Sequence, residues 1–265
     1  VTPADPQHIH ALREQLLDQL AEHLHDDWLW AHESHPVREG YRPDTEQAGR
    51  RALSNRALAM LVRRAARSGD TVWPGKALQR FKDATNMTDR AGALSALIDA
   101  HSELADAALQ RFYDHFRTEP LVVDKWFALQ AQANERGGRV FARVRDLLKH
   151  PAFTLKNPNR ARSLLGSLFM RNPAAFHRPD AAGYVFWADK VVELDALNPQ
   201  LAARLARALD RWTHLAEPYR GAAREAIARV ASKPELSADV REIVTKALQA
   251  EPAATPAREA VAPAL

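Results

Sequence analysis

Asn157-Pro158-Asn159-Arg160-Ala161-Arg162-Ser163-Leu164 reads as a helix start. An asparagine side chain caps free amides, and proline at the first helical position forfeits no hydrogen bond. The same start recurs at Asn198-Pro199, roughly 40 residues on, which is the length of one hairpin in armadillo- and HEAT-like solenoids. Arg160 and Arg162 fall in the first turn and a half, where the helix dipole is positive and cations are disfavoured. A purely structural helix would rather place acids there, so these arginines suggest an anionic partner. Arg204 follows the second Asn-Pro start as Arg162 follows the first. The spacing therefore lets Arg162 and Arg204 point at one concave surface. Each also has a plainer reading, as a surface arginine bonded to a nearby carboxylate or carbonyl.

Outward from these segments the chain reads as helix throughout. Asp5-Pro6 opens a helix whose apolar stripe runs Ile9, Leu12, Leu16, Leu17, Leu20, Leu24, Trp28, at steps of three and four. Asp44 caps a second helix, and Trp73-Pro74-Gly75 reads as a turn. Further starts are expected at Lys76, Thr88, Ser102, Pro120, Gly138, Pro158, Asp180, Pro199, Pro218 and Ser237. No alternating segment lasts long enough for a strand. Starts about 20 residues apart make hairpins of about 40, so the expected fold is all-α. Its form is a right-handed superhelix of HEAT- or armadillo-like hairpins over residues 1–250, with a closed bundle as the alternative. Residues 251–265, rich in alanine and proline, read as a flexible tail.

Composition narrows the chemistry. The 265 residues contain no cysteine, so disulfides and thiolate metal sites are excluded and a reducing, cytoplasmic setting fits. No apolar run approaches the ~20 residues of a membrane span, and no export signal is visible. A net charge of +4 is spread among 33 acids, which gives no basic block for nucleic acid. Arg50-Arg51 and Arg63-Arg64 read as solvated helix faces. His32-Glu33-Ser34-His35 is one residue short of the i, i+4 spacing that puts two imidazoles and a zinc on one helix face, and Pro36 ends the helix. Ser163 and Ser167 lack a neighbouring histidine. Gly75-Lys76 and Gly137-Gly138 lack the strand and glycine spacing of a phosphate loop. Trp126, Phe127, Tyr184, Phe186 and Trp187 fall on helical spacing beside aliphatics, as core residues do.

Several words, in order, resemble the C-terminal helical domain of bacterial aminopeptidase N, of the zinc gluzincin family. They are Gly49-Arg50-Arg51-Ala52-Leu53-Ser54-Asn55, Ala84-Thr85-Asn86-Met87-Thr88-Asp89 and Val123-Asp124-Lys125-Trp126-Phe127-Ala128-Leu129-Gln130. Phe153 to Arg162, Asn172 to His177, Gly183-Tyr184 and Asn198-Pro199-Gln200 continue the series. The likeness runs from Ala11 to Leu248 and departs between Ala131 and Gly138, which reads as a surface loop.

The resemblance implies the last domain of an enzyme that removes N-terminal residues from peptides, cut within or near that domain's edge. The zinc helix and the peptide-binding motif of such enzymes lie upstream and do not occur here. This segment would then carry no catalytic residue, metal or cofactor of its own, zinc belonging to the parent enzyme. It would cap the active-site cavity, with the upstream catalytic domain and peptide substrates as partners, and neither nucleic acid nor membrane. Arg162 and Arg204 match family arginines placed to meet the C-terminal side of a bound peptide. The competing reading is a free-standing helical-repeat scaffold that binds a protein partner.

Overall fold

The computed structural model describes residues 3–36 and 40–250; the expected tail at 251–265 lies outside them. Among the described residues there is no strand, only an isolated parallel bridge between Ala4 and Leu215. The all-α expectation holds. Two compact units divide the chain, one comprising His10–Ala175 and the other joining the first residues to the segment from Phe176 onward.

The first unit holds most of α1 (Pro6–His23), then α2 (His25–Ser34), α3 (Thr45–Ser68), α4 (Val72–Asp83) and α5 (Met87–Asp99). It continues through α6 (Ala105–Phe116), α7 (Pro120–Ala131), α8 (Arg139–Leu147), α9 (Pro158–Ala161) and α10 (Ser167–Arg171). The long stripe expected from Ile9 to Trp28 is interrupted at Leu24, whose backbone leaves the helix between α1 and α2. The Trp28 indole donates to the Leu20 carbonyl at 2.9 Å, bracing the break. Asp44 caps α3 by accepting the Gln47 amide, and Asn86 caps α5 by accepting the Asp89 amide.

Trp73-Pro74-Gly75 is not a turn: all three lie in the first turn of α4. The amides of a first turn have no helical partner, so proline is tolerated there. The chain reverses instead at Gly69, in the left-handed region at φ 73°, which caps α3. Arg51 also departs from expectation. It is buried, donating to Gln47 Oε1 and the Arg42 carbonyl at 2.8 Å each.

The core of this unit is built on Leu58, Leu61, Leu94, Leu97, Phe112 and Phe127, with Trp126 donating its indole N–H to the Leu109 carbonyl. A polar clasp fastens α3, α4 and α5. Asp89 Oδ1 accepts Arg80 at 2.9 Å and Asn55 at 3.2 Å, while Oδ2 accepts Asn86 at 2.9 Å. Burial raises the Asp89 pKa, but the bonds from Asn86 and Arg80 outweigh it and hold the carboxyl below its ordinary value.

After α11 (Pro173–Phe176), which crosses the boundary, the second unit contains α12 (Ala182–Asp195), α13 (Pro199–Ala206), α14 (Tyr219–Ala231) and α15 (Ala238–Gln249). α12 packs on α13 and α14, and α15 closes against α13 and α14. Trp187, fully buried, donates to the Leu205 carbonyl at 3.0 Å and so ties α12 to α13. Asp195, at the end of α12, accepts the Ser237 amide at 2.8 Å and its hydroxyl at 2.5 Å, anchoring the start of α15. Trp126, Phe127, Tyr184 and Trp187 are thus core residues, as their spacing indicated, whereas Phe186 is only half-buried.

Candidate functional site

The Asn157 side chain accepts the amides of Asn159 and Arg160 at 3.0 and 3.2 Å, and Pro158 follows at the first helical position. Only four residues of α-helix result. From Arg162 to Gly166 the backbone widens into a π turn before α10 begins. Such turns accommodate one extra residue and recur at functional positions.

The two arginines of this turn have opposite fates. Arg160 points inward and is 7% exposed. Its Nε donates to Asp124 Oδ1 at 2.5 Å, its Nη1 donates to the Ala152 carbonyl, and its guanidinium lies 5.1 Å from the Phe127 ring centre. The anionic partner expected for this arginine is therefore Asp124 of α7, inside the same unit. Arg162 points outward, is exposed, and donates to Asn159 Oδ1 at 2.6 Å. An amide oxygen orients a guanidinium without neutralising it, so the positive charge stays available.

Arg204 lies in the second unit. Asn198 caps α13 by accepting the Leu201 amide at 3.0 Å, but Arg204 sits in the last turn of this eight-residue helix. The helix dipole favours a cation there, so the expected conflict between arginine and dipole does not arise at this position. Arg204 is exposed and makes no hydrogen bond or ion pair among the described residues. The plainer reading, a surface arginine bonded to a neighbouring carboxylate or carbonyl, describes Arg162, whose partner is the Asn159 amide carbonyl, but not Arg204.

The other motif words resolve into structure. Asn172 donates to the Ala131 and Ala133 carbonyls at 3.0 and 2.8 Å and accepts the Ala175 amide at 3.2 Å. In the second unit, His177 Nδ1 lies 2.8 Å from the Tyr184 hydroxyl, and Gln7 donates to the His177 carbonyl at 2.7 Å. Burial lowers the His177 pKa to about 4, so the ring is neutral near pH 7; burial, with Tyr219 second, raises that of Tyr184. Gly183 is demanded by close approach, since a Cβ there would lie 1.9 Å from the Phe176 carbonyl oxygen.

The histidine cluster does not converge. His32 meets the edge of Trp73 at 5.4 Å, while His35 Nδ1 bonds the Ala31 carbonyl at 3.0 Å. Among the described residues no group of three or more His, Asp or Glu is arranged to hold a metal ion. No helix among them is long and apolar enough to cross a membrane.

Comparison with known proteins completes the picture. Residues 1–249 match the family described as domain of unknown function (DUF3458_C) ARM repeats. Aminopeptidase N of Caulobacter vibrioides is 37% identical over 247 residues, covering 92% of this chain and 28% of that protein. Aminopeptidase N of Escherichia coli is 37% identical over 244 residues, covering 92% and 27%. The crystal structure of Legionella pneumophila aminopeptidase A in complex with aspartic acid superposes with a TM-score of 0.83 at 30% identity, over 94% of this chain and 29% of that one. The chain thus spans under a third of the length of these proteins, matching their C-terminal part.

Proposed function

Because the chain belongs to the DUF3458_C ARM-repeat family and matches the C-terminal part of bacterial aminopeptidases N, we propose that it is the substrate-gating domain of a zinc aminopeptidase that removes N-terminal residues from peptides. In this reading it caps the active-site cavity of an upstream catalytic domain. The zinc and its histidine ligands belong to that upstream domain, and no step assigned to this chain passes through the metal. The parent enzyme works in the cytoplasm, in keeping with a chain free of cysteine.

The task of this chain's own residues is charge placement. Arg162 and Arg204 offer guanidinium groups to the C-terminal carboxylate of a bound peptide, for which a planar donor fork is suited. What carries this reading is the contrast within one turn: Arg160 is neutralised by Asp124, while Arg162 remains exposed with an amide as its partner. The contact with the upstream domain we assign to α1. Leu12 and Leu16 there are 51% and 55% exposed, one turn apart on the helix.

The test is kinetic, in the full-length parent enzyme. Arg162→Ala and Arg204→Ala raise KM for tripeptides more than they lower kcat, by roughly ten- to a hundredfold if the contact is desolvated. The effect is smaller on aminoacyl-anilides, which have no carboxylate. Wild-type kinetics of both variants on tripeptides would refute the assignment. A domain that binds a separate partner, with no in-frame zinc motif upstream, would refute the gating role.

A further inference from the structure

The first unit contains a cavity of about 440 Å³ between the end of α5, the start of α6, the end of α7 and α8. Ile98, Leu109 and Val140, with Ala105, Ala133 and Ala142, supply apolar wall; His101, Gln130, Arg139 and the acids supply the polar part. At its edge α5 ends in a Schellman turn: the His101 amide bonds the Ile98 carbonyl, and the Ser102 amide bonds the Leu97 carbonyl, at 3.0 Å each. The residue in the left-handed position of such a turn is ordinarily glycine. The α3 cap obeys the rule with Gly69, but here the position is His101, at φ 52°. A side chain in that region is strained, and strain of this kind gathers at binding sites.

In return the ring gains one hydrogen bond inside the protein, with the Asn134 backbone. His101 Nε2 is shut off from solvent and has no hydrogen-bond partner. Burial first, then the guanidiniums of Arg136 and Arg139, lower its pKa, so it is a neutral imidazole near pH 7. Gln130, only 3% exposed, also lines the cavity; its amide nitrogen bonds the Trp126 carbonyl at 3.1 Å, leaving its oxygen without a donor. Arg139, at the start of α8, makes no side-chain bond among the described residues. Arg143 is already paired with Asp106 on the rim, and Asp146, 3.7 Å from the Lys149 ammonium, adds a second acid.

We propose that this cavity is a binding site for a free α-amino acid with an apolar side chain, its carboxylate on Arg139 and its ammonium among Gln130, His101 and the rim acids. A simple anion would leave Gln130 unsatisfied and would face Asp106 and Asp146. A simple cation would leave Arg139 unpaired. A zwitterion meets both poles, and the apolar wall receives its side chain. The site does not depend on the gating role, since none of its residues is assigned to peptide recognition.

The test is a titration of the 265-residue chain with leucine, followed by amide NMR and thermal melting. Isoamylamine, which lacks the carboxylate, and 4-methylpentanoate, which lacks the ammonium, serve as controls. Leucine raises the melting temperature and shifts amides of α6 and α8, while each control binds about tenfold more weakly or worse. Arg139→Gln loses the leucine response. His101→Gly, which restores the ordinary Schellman residue, melts no lower than the parent yet also loses the response. The proposal falls if leucine at roughly 10 mM has no effect, or if either control binds as well as leucine. It also falls if His101→Gly melts below the parent, for the ring is then a packing element.

Discussion

The arginines of the Asn157 turn show how residues of one type, two positions apart, divide their labour. Arg160 and Asp124 form a buried pair stapling α9 to α7, whereas Arg162 keeps its charge at the surface. The sequence placed both in the same turn and had no means of telling which one faced inward, because the acid that decides it is 36 positions away. His177 gives a residue-scale prediction for pH. Its folded pKa is about 4 against an ordinary 6.5, so between those values the unfolded chain takes up a proton that the folded chain refuses. Above pH 6.5 the ring contributes no pH dependence; as pH falls from 6.5 toward 4 it removes roughly 3 kcal/mol of stability. Denaturant melts across that range, repeated on His177→Gln, will show a shallower acid slope in the variant. Equal slopes would mean that His177 titrates normally.

At the scale of elements, legibility followed the locality of the signal. Caps and prolines are local, and the starts at Pro120, Pro158 and Pro199 fall where the sequence put them. So do Asp44 and Ser237, which accept the amides three residues on. The break at Leu24 carries no proline or glycine, and the π turn after Ala161 follows from packing on α7, so neither left a mark in the sequence. The stretch from Ala131 to Gly138, taken for a surface loop, holds the buried residues Ala131, Ala133 and Glu135 and helps to line a cavity. Gly183, a glycine of the resemblance motifs, and Gly92 have distinct physical duties that alanine substitution will separate. Gly183→Ala drives a methyl into the Phe176 carbonyl, which is backbone and cannot yield, and is expected to cost about 3 kcal/mol or more. At Gly92 the new methyl meets the Asn55 side chain at 2.8 Å, which can swing away from Asp89, for about 1 kcal/mol. Chemical denaturation of both variants checks the order; a milder effect at Gly183 would count against the described approach of α12 to Phe176.

For the molecule as a whole, the all-α repeat architecture was readable because it rests on helix starts recurring at a fixed spacing, and the helices form where that spacing requires. The surface of α1 was less so. Its stripe shows an apolar face without saying what covers it, and Leu12 and Leu16 remain exposed while Leu17 and Leu20 are half-buried. The double variant Leu12→Glu/Leu16→Glu should leave far-UV circular dichroism intact and stability within about 0.5 kcal/mol, as for other exposed positions. Supplied in trans to the upstream part of the parent enzyme, the same variant should fail to co-elute with it. Co-elution equal to that of the unaltered chain would move the interface elsewhere. The π turn at Arg162–Gly166 carries a consequence of a different kind. One residue in a helix corresponds to about 100° of rotation, so removing the extra residue there would turn the preceding segment about its own axis and aim Arg162 in another direction. Substitutions can alter what this surface offers to an anion. Where it offers it is a matter of register, and changes in chain length by a single residue are the events to which the position of that charge is most sensitive.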